Sequence, residues 1–172
     1  MTKRIYRVSQ SFLFLLTFFI VFMSFYFQYV EGMIPCPLCI MQRFCAMALG
    51  IFCLMGMSLS TLKRARLVAV FQMIFSLAGI YFASRQVWLQ SLPQDMTPAC
   101  MPGLDVMLKY FPWKDIAHAL FFGAGDCAEQ HWHWLGLSMA MWTLFYFMFM
   151  CLASVLVFFI LKKTLHQVTG KP

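Results

Sequence analysis

Four cysteines carry the sequence's clearest chemical potential. Cys36-Pro37-Leu38-Cys39 is a Cys-X-X-Cys pair, and Cys100 and Cys127 form a second group with 26 residues between them. A thiolate is the nucleophile of thiol–disulfide exchange, and a helix start favours it because unsatisfied amides and partial positive charge gather there. Arg43 follows Cys39 by four residues. On a helix that spacing shares one face, and side chains lean toward the N-terminus. Arg43 is therefore expected to reach back toward Cys39 and to stabilise an anion there. The plainer account of Arg43 is snorkelling to a membrane interface.

Spacing alone leaves other uses of these cysteines open. Zinc takes four N or S ligands, and Cys100, Cys127, His131 and His133 join the Cys-X-X-Cys as possible donors. Two purely structural disulfides stapling loops fit the spacing as well. The remaining cysteines, Cys45, Cys53 and Cys151, fall in long apolar runs and read as small hydrophobes.

The elements that position these groups follow from composition. The chain has 172 residues, 62% of them hydrophobic and 11% charged. No water-soluble fold hides that much apolar surface, and disorder needs the opposite balance. Four uncharged runs suffice to cross a bilayer as helices: about 8–30, 44–62, 67–84 and 135–161. Continuous runs do not suit a barrel, whose strands alternate. The first run is too long for a signal peptide and ends without small residues, so it reads as a retained helix.

Charge sets the expected orientation. Lys3, Arg4, Arg7, Lys63, Arg64, Arg66, Lys162 and Lys163 all fall on one side of a four-span chain. By the positive-inside rule that side, with both termini, is cytoplasmic. Basic residues set beside apolar runs speak for membrane lipid and not for nucleic acid, whose binders present a solvated basic face. Loops of about 31–37 and 90–133 then face outward and hold all six acids. In the long loop, Trp113, Ile116, Ala117, Leu120 and Phe121 share a helical face. A short helix is expected there, lying on the membrane or against the bundle, and ending at Gly123-Ala124-Gly125. Arg85, at the end of the third run, reads as snorkelling. The expectation is an all-α membrane protein: one four-helix transmembrane domain over 1–172 with a long outer loop carrying a surface helix.

The motifs together resemble the DsbB family of bacterial disulfide bond formation proteins. Pro35-Cys36-Pro37-Leu38-Cys39 with Gln42-Arg43 is similar to the family's first outer loop. Gln86-Val87-Trp88-Leu89-Gln90 and Pro98-Ala99-Cys100-Met101-Pro102-Gly103-Leu104-Asp105 are similar to its third helix end and second loop. Gly125-Asp126-Cys127-Ala128-Glu129, then Trp134-Leu135-Gly136-Leu137-Ser138, resembles the entry to its last helix. Where some members carry a histidine early in the long loop, this chain reads Gln90-Ser91.

The resemblance implies an enzyme of the bacterial inner membrane that reoxidises a DsbA-like periplasmic thiol oxidase and passes the electrons to ubiquinone or menaquinone. It implies redox disulfides Cys36–Cys39 and Cys100–Cys127, the second attacked by the partner and the first coupled to the quinone. It implies Arg43 beside the quinone and no metal. Two readings compete: a vitamin K epoxide reductase-like thiol oxidase, which the long third loop disfavours, and a non-enzymatic scaffold stapled by disulfides.

Overall fold

The computed structural model describes residues 3–58, 61–93, 104–128 and 133–169. Among these, four helices are long and apolar enough to cross a membrane: α1 (Lys3–Tyr29), α2 (Pro37–Ser58), α3 (Leu62–Gln90) and α6 (Met139–Thr169). Between α3 and α6 lie α4 (Leu104–Tyr110), α5 (Trp113–Phe122), a 3-10 turn (Gly125–Cys127) and a two-residue hairpin, β1 (His133–Trp134) and β2 (Leu137–Ser138). The chain is an all-α, multi-pass membrane protein.

Its burial pattern is that of a protein dissolved in lipid. Exposed positions on α1 include Phe12, Leu15, Phe18, Phe19 and Phe22. Gln10, Thr17, Gln42, Gln72, Ser76, Gln86 and Ser154 are buried. Lipid tails are as apolar as leucine, so helices gain nothing by hiding hydrophobic side chains from them. They associate through close packing of small residues and through hydrogen bonds.

Helix α3 shows this most clearly. Ala65, Ala69, Gln72, Ser76, Gly79, Ala83 and Gln86 are all buried, at alternating steps of four and three residues. That is the seam of one helix packing along others. Helix α3 packs along both α2 and α6, and α1 packs along α2. Across the centre, Tyr146 Oη of α6 donates to Thr17 Oγ1 of α1 at 2.9 Å. A Cβ at Gly79 would stand 2.3 Å from the ring of Phe147, which is fully buried on α6.

At the end of the bundle remote from the Cys-X-X-Cys, Lys63, Arg64 and Arg66 open α3. The guanidinium of Arg66, in the first turns of α3, lies 5.7 Å from the ring of Phe158 near the end of α6. The helices outrun the uncharged runs because basic side chains extend them: α1 begins at Lys3 and α3 continues through Arg85 to Gln90.

Three expectations need correction. The fourth apolar run does not enter a helix at residue 135. Leu135 (φ 54°) and Gly136 (φ 78°) form a two-residue turn of the hairpin, whose strands suit two central residues at positive φ. The helix starts only at Met139.

Helix α5 occupies the expected residues and stops at Gly123, but its inward face differs. Ile116 and Ala119 are buried with Met107 of α4, while Trp113, Ala117 and Phe121 stay exposed. An unforeseen helix, α4, supplies the apolar partner that rotates α5. Finally, Arg85 does more than snorkel. Its Nε donates to the Phe122 carbonyl at 3.1 Å, and its guanidinium lies 4.1 Å from the Trp88 ring centre.

Gly79→Ala should destabilise the folded protein by about 1–3 kcal/mol, the usual cost of an overfilled contact. Gly50→Ala meets only ordinary contact, 3.5 Å to Thr17, and should leave stability unchanged. Thermal unfolding in detergent checks both. Equal stability of the two variants would show that α3 and α6 do not pack this closely.

Candidate active site

The site is built on the first turn of α2. Pro37 occupies the first helical position, where its missing N–H costs nothing. Cys36 precedes it in the cap position, and its carbonyl accepts the Ile40 N–H at 3.1 Å. The Cys36 sulfur then accepts the Cys39 N–H at 3.4 Å, as a serine hydroxyl does at a helix cap. The two sulfurs of the Cys-X-X-Cys pair, present as thiols, lie 2.9 Å apart.

Cys127 joins them from the long loop. It is fully buried, in one packed cluster with Cys36, Leu38 and Cys39. Cys36 and the backbone of Leu38 and Ala124 are the neighbours that act on its titration. Of the first-turn amides of α2 that lack helical partners, that of Cys39 turns toward the Cys36 sulfur.

The electrostatic result is asymmetric. The Cys36 thiol bond, then the two amides, hold the Cys127 thiol below the ordinary cysteine range, against the opposing effect of burial. Cys36 is pushed far up, because it donates to Cys127 and to Cys39 and is buried. Of these two sulfurs, Cys127 carries the lowered pKa and Cys36 the raised one.

What holds Cys127 there is the end of α5. Tyr81 Oη donates to the Phe121 carbonyl at 3.3 Å, and Arg85 Nε donates to that of Phe122. Both carbonyls belong to the last turn of α5, which has no helical donors for them. Gly123 then turns the chain with φ 82°. A Cβ there would lie 2.6 Å from Leu89 Cδ1 and 2.8 Å from Leu38 Cδ1. Only glycine lets the loop pass over α2 and α3 and enter the turn that bears Cys127.

Arg43 is placed differently from the sequence expectation. Its Nε donates to Ser24 Oγ at 3.0 Å, one terminal nitrogen to the Ser24 carbonyl at 3.1 Å, and the other to Gln28 Oε1. Its guanidinium lies 4.4 Å from the Phe25 ring centre. The hydrogen bonds thus tie α2 to α1 and do not go to Cys39, although the charge is near enough to act on that sulfur. Two side chains that motif reasoning gave no role complete the site. Gln42 Nε2 donates to Gln86 Oε1 at 2.7 Å, and Gln86 Nε2 lies 3.3 Å from the Cys39 sulfur.

Cys100 and His131 lie outside the described residues, as does the Pro98–Pro102 segment. Cys45 and Cys53 are buried, and Cys53 accepts a hydrogen bond from Gln72 at 3.2 Å. Among the described residues no group of three His, Cys, Asp or Glu side chains is arranged to hold a metal ion.

A helical membrane protein with three thiols converging at one end of its bundle is, by class, a membrane thiol–disulfide protein. Comparison with known proteins defines it further. The family model "Disulfide bond formation protein DsbB" matches residues 6–157. Disulfide bond formation protein B of Nitrosococcus oceani is 39% identical over 154 residues, covering 87% of this chain and 91% of that protein. The protein of the same name from Stutzerimonas stutzeri is 38% identical over 137 residues, covering 79% and 84%. That from Hahella chejuensis is 42% identical over 122 residues, covering 70% and 74%. The chain belongs to the DsbB family, and its role is that of a disulfide-forming oxidoreductase.

The geometry makes a direct demand. In a Cys39→Ser/Cys100→Ser variant, mild oxidation should join Cys36 to Cys127, as read by peptide mapping. Gly123→Val in that background should slow the crosslink about tenfold or more, given the ordinary cost of a side chain at this φ. Failure of that bond to form in the folded double variant would contradict the arrangement.

Proposed function

We propose that this protein reoxidises a DsbA-like periplasmic thiol oxidase and delivers the electrons to a membrane quinone, ubiquinone or menaquinone. The observation that carries the reading is the burial of Cys127 in one cluster with Cys36 and Cys39, whose two sulfurs lie 2.9 Å apart. In the resting enzyme of this reading, Cys36–Cys39 and Cys100–Cys127 are disulfides. The chain acts as one domain in the bacterial inner membrane, with its basic end and both termini in the cytoplasm and its cysteine end in the periplasm.

The steps balance as exchanges. A thiolate of the reduced partner attacks the Cys100 sulfur. The Cys100–Cys127 bond breaks, a mixed disulfide forms, and Cys127 leaves as thiolate. Cys127 then attacks Cys36, and Cys39 is released as thiolate. The second thiol of the partner attacks its own mixed disulfide, and the partner leaves oxidised with Cys100 as a thiol.

A bound quinone supplies a two-electron, two-proton sink that lies outside the thiol pool. The residues present fit such a group. An apolar groove of about 400 Å³ is not the candidate, since it lies between α3 and α5 beside His118. The candidate is the groove of about 290 Å³ between α1 and α2, walled by Phe14, Phe18, Val21, Met47 and Leu54. Ala46 and Gly50 keep its floor low. It lies on the α2 face that begins at Cys39, two turns further along. Arg43, fixed above it by Ser24 and Gln28, keeps a cation beside the sulfur that gives up electrons.

Purified protein with reduced DsbA and quinone tests this by the loss of quinone absorbance. Cys39→Ser should abolish turnover, and wild-type turnover in that variant would refute the assignment. Arg43→Ala should raise the quinone KM about tenfold, in line with the loss of a charge-assisted interaction. Arg43→Lys separates charge from tethering, since an ammonium cannot reproduce the planar fork. A KM near wild type with lowered thermal stability assigns the charge to the chemistry and the fork to the α1 contact.

A further inference from the structure

The buried amide pair beside the sulfurs has work that the reaction scheme leaves unassigned. Gln42 and Gln86 are 5% and 6% exposed. They come from different helices, α2 and α3, and meet at 2.7 Å through Gln42 Nε2 and Gln86 Oε1. That bond fixes which way the Gln86 amide faces. With its oxygen engaged by Gln42, its nitrogen is presented to the sulfurs, 3.3 Å from Cys39 and 3.8 Å from Cys36. The Cys39 sulfur also lies 3.7 Å from Gln86 Oε1. One neutral group thus accepts from the sulfur as a thiol and donates to it as a thiolate.

We infer that Gln86, oriented by Gln42, is a positioning residue for the Cys39 sulfur, stabilising it as a thiolate once the Cys36–Cys39 bond is open. This rests on the assignment of Cys36–Cys39 as a redox couple. A thiolate accepts a hydrogen bond far better than a disulfide sulfur does, so the amide favours the reduced form of the couple. The pair is suited to that task in a membrane. It supplies a donor without burying a second full charge, and Gln42 satisfies the amide oxygen that would otherwise be stranded. The 0.5 Å difference between the two sulfur distances favours Cys39 over Cys36 as the sulfur that carries the charge.

The test is the redox equilibrium of Cys36–Cys39 with glutathione. It is measured on the full chain in detergent, in a Cys100→Ser/Cys127→Ser background so that one couple is read. Neither quinone nor partner protein is present, so failure of the quinone-linked function does not disturb this measurement, and success here does not establish that function.

Gln86→Met keeps the volume and loses the N–H. It should make the couple about tenfold harder to reduce, which is about 30 mV more negative. Gln42→Leu should shift it the same way by less, and the double variant should shift it no further than Gln86→Met alone. Gln72→Met breaks an equally buried amide pair, with Gln10, which makes no contact with Cys36 or Cys39, and should leave the equilibrium unchanged. An unshifted potential in folded Gln86→Met, or an equal shift in Gln72→Met, overturns the proposal. If Gln86→Met does not fold, Gln42→Leu decides it, and an unshifted potential there overturns it as well.

Discussion

The first turn of α2 has amides with no helical partner, and a cysteine sulfur takes one of them. That single constraint organises the cysteine end of the molecule. Pro37 removes one donor, and the Cys39 amide turns to the Cys36 sulfur. A helix N-terminus is a ready site for developing negative charge. A sulfur that gains charge during exchange meets donors already in place. The Cys-X-X-Cys spacing matters because it puts one sulfur in the cap and the other one turn in, so both stay within reach of each other and of the loop.

The lipid solvent explains why the rest of the site is polar and neutral. In water a glutamine pair is a weak device. Between helices surrounded by hydrocarbon it is one of the few contacts that fixes register, because apolar packing alone does not distinguish inside from outside. The bundle uses this twice on α3, with Gln72 bonded to Gln10 and Gln86 bonded to Gln42. Two pairs at different depths, made to two different helices, hold α3 against both rotation and sliding. The pair nearer the thiols lends the same rigidity to the Cys39 sulfur.

Much of this was legible in the sequence. Four apolar runs gave the spanning helices. The Trp113–Phe122 periodicity with glycine behind it gave α5 and its stop. The hairpin was hidden because Trp134-Leu135-Gly136-Leu137 is apolar and merges with the run that follows; its only signal was Gly136, which reads equally as a small residue in a span. The role of Gln86 was hidden for a related reason. The Gln86-Val87-Trp88-Leu89-Gln90 motif marks where the third helix ends and gives the neutral Gln86 no task. Its signal was the heptad stripe it shares with Gln72, Ser76, Gly79 and Ala83, which marks the inward face without naming the neighbour.

The two arginines near the site show where helix-face reasoning stops. Both were read from position on their own helix: Arg43 toward Cys39, Arg85 toward the interface. Each instead bonds a neighbouring element, Arg43 to α1 through Ser24 and Gln28, and Arg85 to the last carbonyl of α5. A guanidinium has five donors and a long stem, so inside an apolar end of a bundle it goes where acceptors are concentrated. Those acceptors come from elements whose placement no local pattern specifies. The consequence is structural and chemical together. Arg43 brings α1 against α2 above the groove that opens two turns beyond Cys39, and Arg85 brings the end of α5 against α3, so that the turn after Gly123 sets Cys127 beside Cys36. Each cation assembles one side of the thiol cluster.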